Sequence, residues 1–283
     1  MKPFKSICLT FVCLLMISLA AHAQQPQGKY LRIVYNTKHI DRTHYKPQYD
    51  LQYLEIADST SYFYSYYEWR KREIEDSLNR RGNFDMKLRV KLGQPYSSAQ
   101  FYRIHKGEPR KNFLTGLVID IDAFKYVEEM PDFKWKILNR DSTIAGYPCQ
   151  QATTRFRGRT WNVWFTPDIP VSDGPWKFCG LPGLILKAED ADHYFDFECA
   201  GIQHIDHCNA KSNSGFKYQE CTPQEYFKTL KEIKSNPFGY MGMRDSGQSG
   251  EEDDIQRKTD IRNKPEELAK IIYIEDYDAA EEK

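Results

Sequence analysis

Apolar and polar side chains alternate with period two along much of this chain, which predicts a strand-rich protein. Lys29 to Ile40 opens the pattern, with Leu31, Ile33 and Tyr35 on one face and Arg32 and Val34 on the other. Leu51 to Ala57 alternates again, and Asp58-Ser59-Thr60-Ser61 supplies turn chemistry before the aromatic run Tyr62 to Tyr67. Met86 to Leu92, Ala99 to Lys106 and Phe113 to Ile121 read as further strands, punctuated by Pro95 and by Gly107-Glu108-Pro109. Phe133 to Arg140 sets Phe133, Trp135 and Ile137 against Lys134, Lys136 and Leu138, the pattern of a half-solvated strand.

The densest β region follows. Gln150 to Phe156 and Thr160 to Phe165 flank Arg157-Gly158-Arg159, a turn in which Gly158 supplies positive φ, so the spacing predicts a hairpin. Leu184 to Glu189 and Tyr194 to Cys199 flank Asp190-Ala191-Asp192 and predict a second one, with Phe195, Phe197 and Cys199 on one face. Trp161 to Glu189 joins the two hairpins and organises the chain. It holds three of the five Trp, and its Gly and Pro residues between 170 and 183 predict a rigid crossover.

Two segments carry helical rather than strand signals. Glu68 to Arg80 places charges four residues apart and stops at Arg80-Arg81-Gly82-Asn83, which fits a surface helix or an ordered excursion between strands. Thr222-Pro223-Gln224-Glu225 is a capping box with proline at the first helical position. Tyr226, Phe227, Leu230 and Ile233 continue it as an apolar stripe, so a helix is expected near 223–234, packed on the sheet. Gly239 to Arg262 is polar and glycine rich and reads as a linker, and Glu266 to Ile274 as a short helix or late strand. The expected fold is mainly β (α+β), a curved antiparallel sheet or half-barrel with one or two packed helices. Its domain spans 24–238, followed by a linker and charged segment over 239–283.

Composition adds an address. Lys2 and Lys5 precede an apolar run of 14 residues, Ile7 to Ala20, and Ala21-His22-Ala23 fits a small-x-small cleavage pattern. Residues 1–23 therefore read as a signal peptide cut near Ala23, too short to span a bilayer, which predicts a periplasmic or secreted protein with no transmembrane segment once cut. Without Lys2 and Lys5 the chain carries 38 basic and 40 acidic side chains, a net of −2, so overall charge attracts neither nucleic acid nor an anionic membrane. Five cysteines follow residue 23: Cys149, Cys179, Cys199, Cys208 and Cys221. Export permits disulfides and an odd count leaves at least one thiol over; spacing does not give the connectivity, and Cys208 with Cys221 would be one local bridge.

Candidate chemistry is sparse. Cys199, His204, His207 and Cys208 bring two thiols and two imidazoles into a short span, a ligand set suited to zinc or copper, or else a polar hairpin beside a disulfide. Cys179, with Lys177 nearby and His193 as base, would be the nucleophile of a cysteine-dependent enzyme. Asp168, Asp173, Glu189, Asp190 and Asp192 could pair as acids but sit in turn contexts. No nucleophile elbow, P-loop or dinucleotide fingerprint is present. Trp135, Trp161, Trp164, Trp176 and Phe178 either fill the core or line an apolar groove.

Gly180-Leu181-Pro182-Gly183-Leu184-Ile185 resembles the hexapeptide of the GLPGLI family, secreted proteins of the Bacteroidota. Gly146-Tyr147-Pro148-Cys149-Gln150-Gln151-Ala152, Trp164-Phe165-Thr166-Pro167-Asp168-Ile169-Pro170 and Asp173-Gly174-Pro175 resemble further segments of it, and Asn263 to Leu268 its ending, interrupted by Lys264. The resemblance implies no activity, cofactor or catalytic residue. The order of elements is also similar to periplasmic lipoprotein carriers of the LolA/LolB kind, curved half-barrels that hold acyl chains. The favoured expectation is thus a non-catalytic envelope protein that binds a lipid, another apolar ligand or a partner protein without a cofactor. A metal-binding protein is the alternative and a cysteine-dependent enzyme the third.

Overall fold

The structure is a computed structural model that describes residues 29–41, 46–93, 95, 102–119, 122–209 and 217–235. The leader expected at 1–23, the segment 239–283 and the element expected at Glu266 to Ile274 lie outside these residues. Strands β1 (Tyr30–Asp41), β2 (Lys46–Ile56) and β3 (Ser61–Ser65) form an antiparallel meander. Ser65 then caps helix α1 (Tyr66–Arg80), its hydroxyl accepting from the Glu68 amide at 3.2 Å. The aromatic run is split by this cap, with Tyr62 and Tyr64 in the sheet and Tyr66 and Tyr67 in the helix.

Met86 to Leu92 departs from expectation, because residues Met86–Gly93 form helix α2 rather than a strand. Their alternation, Met-Lys-Leu-Arg-Val-Lys-Leu, has the period of a strand. The carboxylate of Asp85, however, accepts from the Lys87 and Leu88 amides at 2.9 and 3.2 Å, and Met, Lys, Leu and Arg are good helix formers. Local capping therefore outweighs the period.

Beyond α2 come β4 (Tyr102–Lys106), β5 (Phe113–Ile119), β6 (Ala123–Glu129), β7 (Lys136–Ile144), β8 (Tyr147–Phe156), β9 (Arg159–Thr166), β10 (Leu184–Asp190), β11 (Phe195–Ile205), β12 (Gln219–Cys221) and helix α3 (Pro223–Ser235). Strand β6 was not expected from the sequence. Strand β7 begins later than expected, so Phe133 precedes it in the core while Ile137 stays exposed. Both hairpins form as expected. At the first, Arg157 and Gly158 take φ of 43° and 80°, the paired positive values of a tight hairpin turn.

The strands make one open twelve-stranded sheet in the order β12-β6-β5-β4-β3-β2-β1-β11-β10-β9-β8-β7. Every pairing is antiparallel except β12 on β6. The first strand lies mid-sheet, pairing with β2 on one side and β11 on the other, so the meander from the N-terminal half joins the hairpins of the second half.

One face of the sheet is packed. Ile33 and Tyr35 of β1, Leu54, Phe63, Ile104, Leu114, Trp161, Val163, Phe165 and Phe197 share it. Two pieces cover this face. Helix α3 lays Tyr226 on Tyr126, rings stacked at 5.5 Å, and Gly116 leaves room, since a Cβ there would lie 2.1 Å from the Tyr126 ring. The helix start is the expected capping box, with Glu225 accepting from the Thr222 amide at 2.8 Å and Thr222 from the Glu225 amide at 3.2 Å.

The second cover is the crossover 167–183. It runs back over the packed face and inserts Trp176, Lys177 and Phe178, three consecutive buried side chains, with Trp176 in the left-handed region at φ 52°. Trp161 meets Trp176 at 5.7 Å and Phe178 at 4.9 Å. Charges on the strands hold it in place. Lys106 donates to the Gly174 and Phe178 carbonyls at 2.7 and 3.2 Å and pairs with Asp173, while Lys177 pairs with Glu128 at 2.5 Å.

A candidate binding face

The other face of the sheet carries a different layer. Register places Arg32 of β1, Tyr53 and Glu55 of β2, Tyr62 and Tyr64 of β3 and Arg103 and His105 of β4 side by side on it. Alternation alone sorts these residues away from the packed face, and α1 lies over them. Glu55 is fully buried and accepts from Arg32 Nε and Nη2 at 2.9 and 2.6 Å. The Arg32 guanidinium also sits 4.9 Å from the centre of the Tyr53 ring.

Aromatic rings extend the layer outward. Tyr53 meets Tyr64 at 6.0 Å and Tyr66 at 5.1 Å, and Tyr66 meets Trp69 at 5.9 Å. Tyr53, Tyr66, Tyr67 and Trp69 are half-buried, each with an apolar body and a polar end. Burial, with Glu55 nearby, pushes the Tyr64 phenol far above its ordinary value. Tyr62 is pushed up to about 12, chiefly by burial, and donates to Glu108 Oε1 at 2.8 Å.

Among the described residues some polar atoms of this layer are buried without a hydrogen bond. The Trp69 indole N–H and His105 Nε2 are buried without a hydrogen bond. Arg103 is buried as well, and among the described residues its guanidinium makes no hydrogen bond or ion pair. Burial, then the neighbouring Arg72, holds it below the usual arginine range. Electrostatic attraction from Tyr218, Glu68 and Tyr64 offsets part of the cost of burying this cation. Alternation in β3 and β4 is the signal that marks these residues, but the sequence alone does not say that α1 closes over them.

The residues singled out from sequence lie elsewhere. Trp161, Trp176 and Phe178 are buried in the core against one another. Trp135 is half-buried and donates its indole N–H to the Cys179 carbonyl at 2.7 Å; Trp164 is half-buried on the opposite side of β9. Cys199 is buried on β11, and five residues of strand, roughly 15 Å, separate it from exposed His204. Among the described residues no three His, Cys, Asp or Glu side chains gather as a metal site. The Cys208–Cys221 bridge is not formed, and Cys149, Cys179, Cys199 and Cys221 are free thiols. Burial pushes Cys179 up to about 11, and His193 is exposed, with its Nδ1 3.6 Å from Glu189 Oε2. No helix among the described residues is long and apolar enough to cross a membrane.

Residues 157–187 match a family described as a protein of unknown function (Porph_ging). That span covers β9, the crossover and most of β10, and includes the Gly180 to Ile185 hexapeptide. No curated protein matches the chain. Among solved structures, PNGF-II in its P21 crystal form is similar with a TM-score of 0.50 and 15% identity over 73% of this chain. The C2 form gives 0.50 and 16% over 72%. The chain spans about a third of those chains, 34% and 33%. At such identity the likeness is one of fold, and these neighbours are PNGF-II rather than carriers of the LolA/LolB kind.

Proposed function

We propose that the protein is exported to the cell envelope and acts there without catalysing a reaction, binding a partner protein through the tyrosine and arginine layer on the second face. The observation that carries this reading is the set of half-buried rings, Tyr53, Tyr66, Tyr67 and Trp69, beside the buried Arg103 guanidinium. Tyr, Trp and Arg are the side chains that dominate protein interfaces, because each joins apolar area to a directional donor. Export rests on the leader pattern of residues 1–23. A greasy ligand on the packed face is disfavoured, since α3 and the crossover already occupy that face with the chain's own rings.

A photo-crosslinking residue in place of Tyr66, introduced in the native cell, tests the reading. A discrete protein adduct is expected there and none from exposed Thr143 on the edge strand β7. The absence of an adduct specific to Tyr66 would overturn the proposal.

A further inference from the structure

The helical hairpin between β3 and β4 carries a second surface, separate from the tyrosine layer. Helix α2 buries none of its residues, and Arg89 fixes it to α1 by donating to Asn79 Oδ1 and the Asn83 carbonyl, both at 2.7 Å. Its strand-like alternation, wound into a helix, spreads the apolar residues over two stripes instead of gathering them on the body. Phe84, Met86 and Val90 are consequently 77%, 69% and 61% exposed. At 100° per residue, Lys87 and Lys91 run in a row between the Met86–Val90 stripe and Leu92. Arg80 and Arg81 stand exposed at the preceding turn, and among the described residues no ion pair engages these four cations.

We propose that this hairpin tip is a membrane-contact site that takes an anionic lipid surface. Exposed apolar side chains enter the boundary between headgroups and acyl chains, while the lysines and arginines meet lipid phosphates. Charge complementarity selects the occupant: from Arg80 to Gly93 there are five basic residues and one acid, Asp85. A protein partner fits less well. A stable interface needs roughly 800 Å² from each side, whereas a helix of eight residues is about 12 Å long and about 10 Å across. The near-neutral total charge hides this site, because the Debye length of about 8 Å makes local charge the relevant quantity.

Co-sedimentation of the intact purified protein with vesicles provides the test. Binding is expected to vesicles of phosphatidylcholine mixed with phosphatidylglycerol, to weaken with added salt, and to be absent with phosphatidylcholine alone. K87E/K91E and F84S/V90S change only exposed side chains and are expected to melt as the wild type does. Each is expected to weaken binding by roughly tenfold or more. Failure of the wild type to bind the anionic vesicles overturns the proposal. So does loss of binding in K87E/K91E with F84S/V90S unaffected, which would mean adsorption by charge without insertion. A photo-crosslinker at Val90 that captures a protein instead of lipid would also overturn it.

Discussion

Lys177, a side chain with no exposure to solvent, places its ammonium 2.5 Å from Glu128 Oε1. Glu128 also accepts from Arg157 at 2.6 Å, and the Tyr126, Trp176 and Phe227 rings surround Lys177 at 5.1, 5.5 and 6.0 Å. Strand β6, the crossover, the β8–β9 turn and helix α3 thus meet at one ion cluster. The crossover, which also holds the candidate nucleophile Cys179, serves here as a fastening.

Lys177→Met leaves Glu128 partly paired through Arg157, whereas Glu128→Gln removes the carboxylate that faces the buried Lys177 ammonium. Urea unfolding is expected to show Glu128→Gln destabilised by about 3–5 kcal/mol, with the double variant K177M/E128L recovering part of that loss. Equal stability of E128Q and the wild type would dismiss the fastening role.

The same pair sets an acid limit. Burial works to raise the Glu128 pKa, but Lys177 and Arg157 outweigh it and hold the carboxyl below its ordinary 4.5. A depressed folded pKa contributes stability that is present above the unfolded value and lost as pH falls through the folded one. The urea midpoint is therefore expected to fall as pH drops below about 4.5, and to fall less in K177M/E128L. Parallel pH profiles for the two proteins would contradict this.

Gly183 allows β9 and the hexapeptide to close on each other. A Cβ there would lie 2.1 Å from the Thr166 carbonyl oxygen and 2.7 Å from its carbon, both backbone atoms that cannot swing aside. Gly183→Ala is expected to abolish or severely lower the thermal transition followed by circular dichroism. Pro182→Ala, at an exposed neighbour, is expected to stay within about 0.5 kcal/mol of the wild type.

The tryptophans separate core from surface. Trp161 is buried and touches Trp176, Phe178, Phe195 and Phe197, so Trp161→Ala is expected to cost about 3–5 kcal/mol in denaturant unfolding. Half-buried Trp164 should cost clearly less when truncated. A mild W161A would restore the idea that this ring lines an open groove.

Cys179 offers a chemical check. With its thiol pushed up to about 11, little thiolate exists near neutrality. Iodoacetamide at pH 8 is expected to modify it on the order of a hundredfold more slowly than an unstructured cysteine peptide. A rate matching the peptide would revive the nucleophile.

Local chemistry was legible in the sequence wherever a few neighbouring residues decide the outcome. Gly158 announces its hairpin, Thr222 to Glu225 their helix start, and alternation from Phe195 to Cys199 its buried face. Each is a matter of φ preference, capping or side-chain period within one or two turns of chain. Tertiary structure decided what depends on distant partners. Tyr30 pairs with Ile205, and β6 pairs with β12 from far along the chain. Whether Lys177 and Lys106 face solvent or a buried acid depends on the crossover folding back over β4 and β6, which no local pattern encodes. The same dependence moved Trp176 and Phe178 from a candidate groove into the core. For Met86 to Leu92 the reverse held: no neighbouring strand was there to reward the alternation, so the Asp85 cap and helix propensity prevailed.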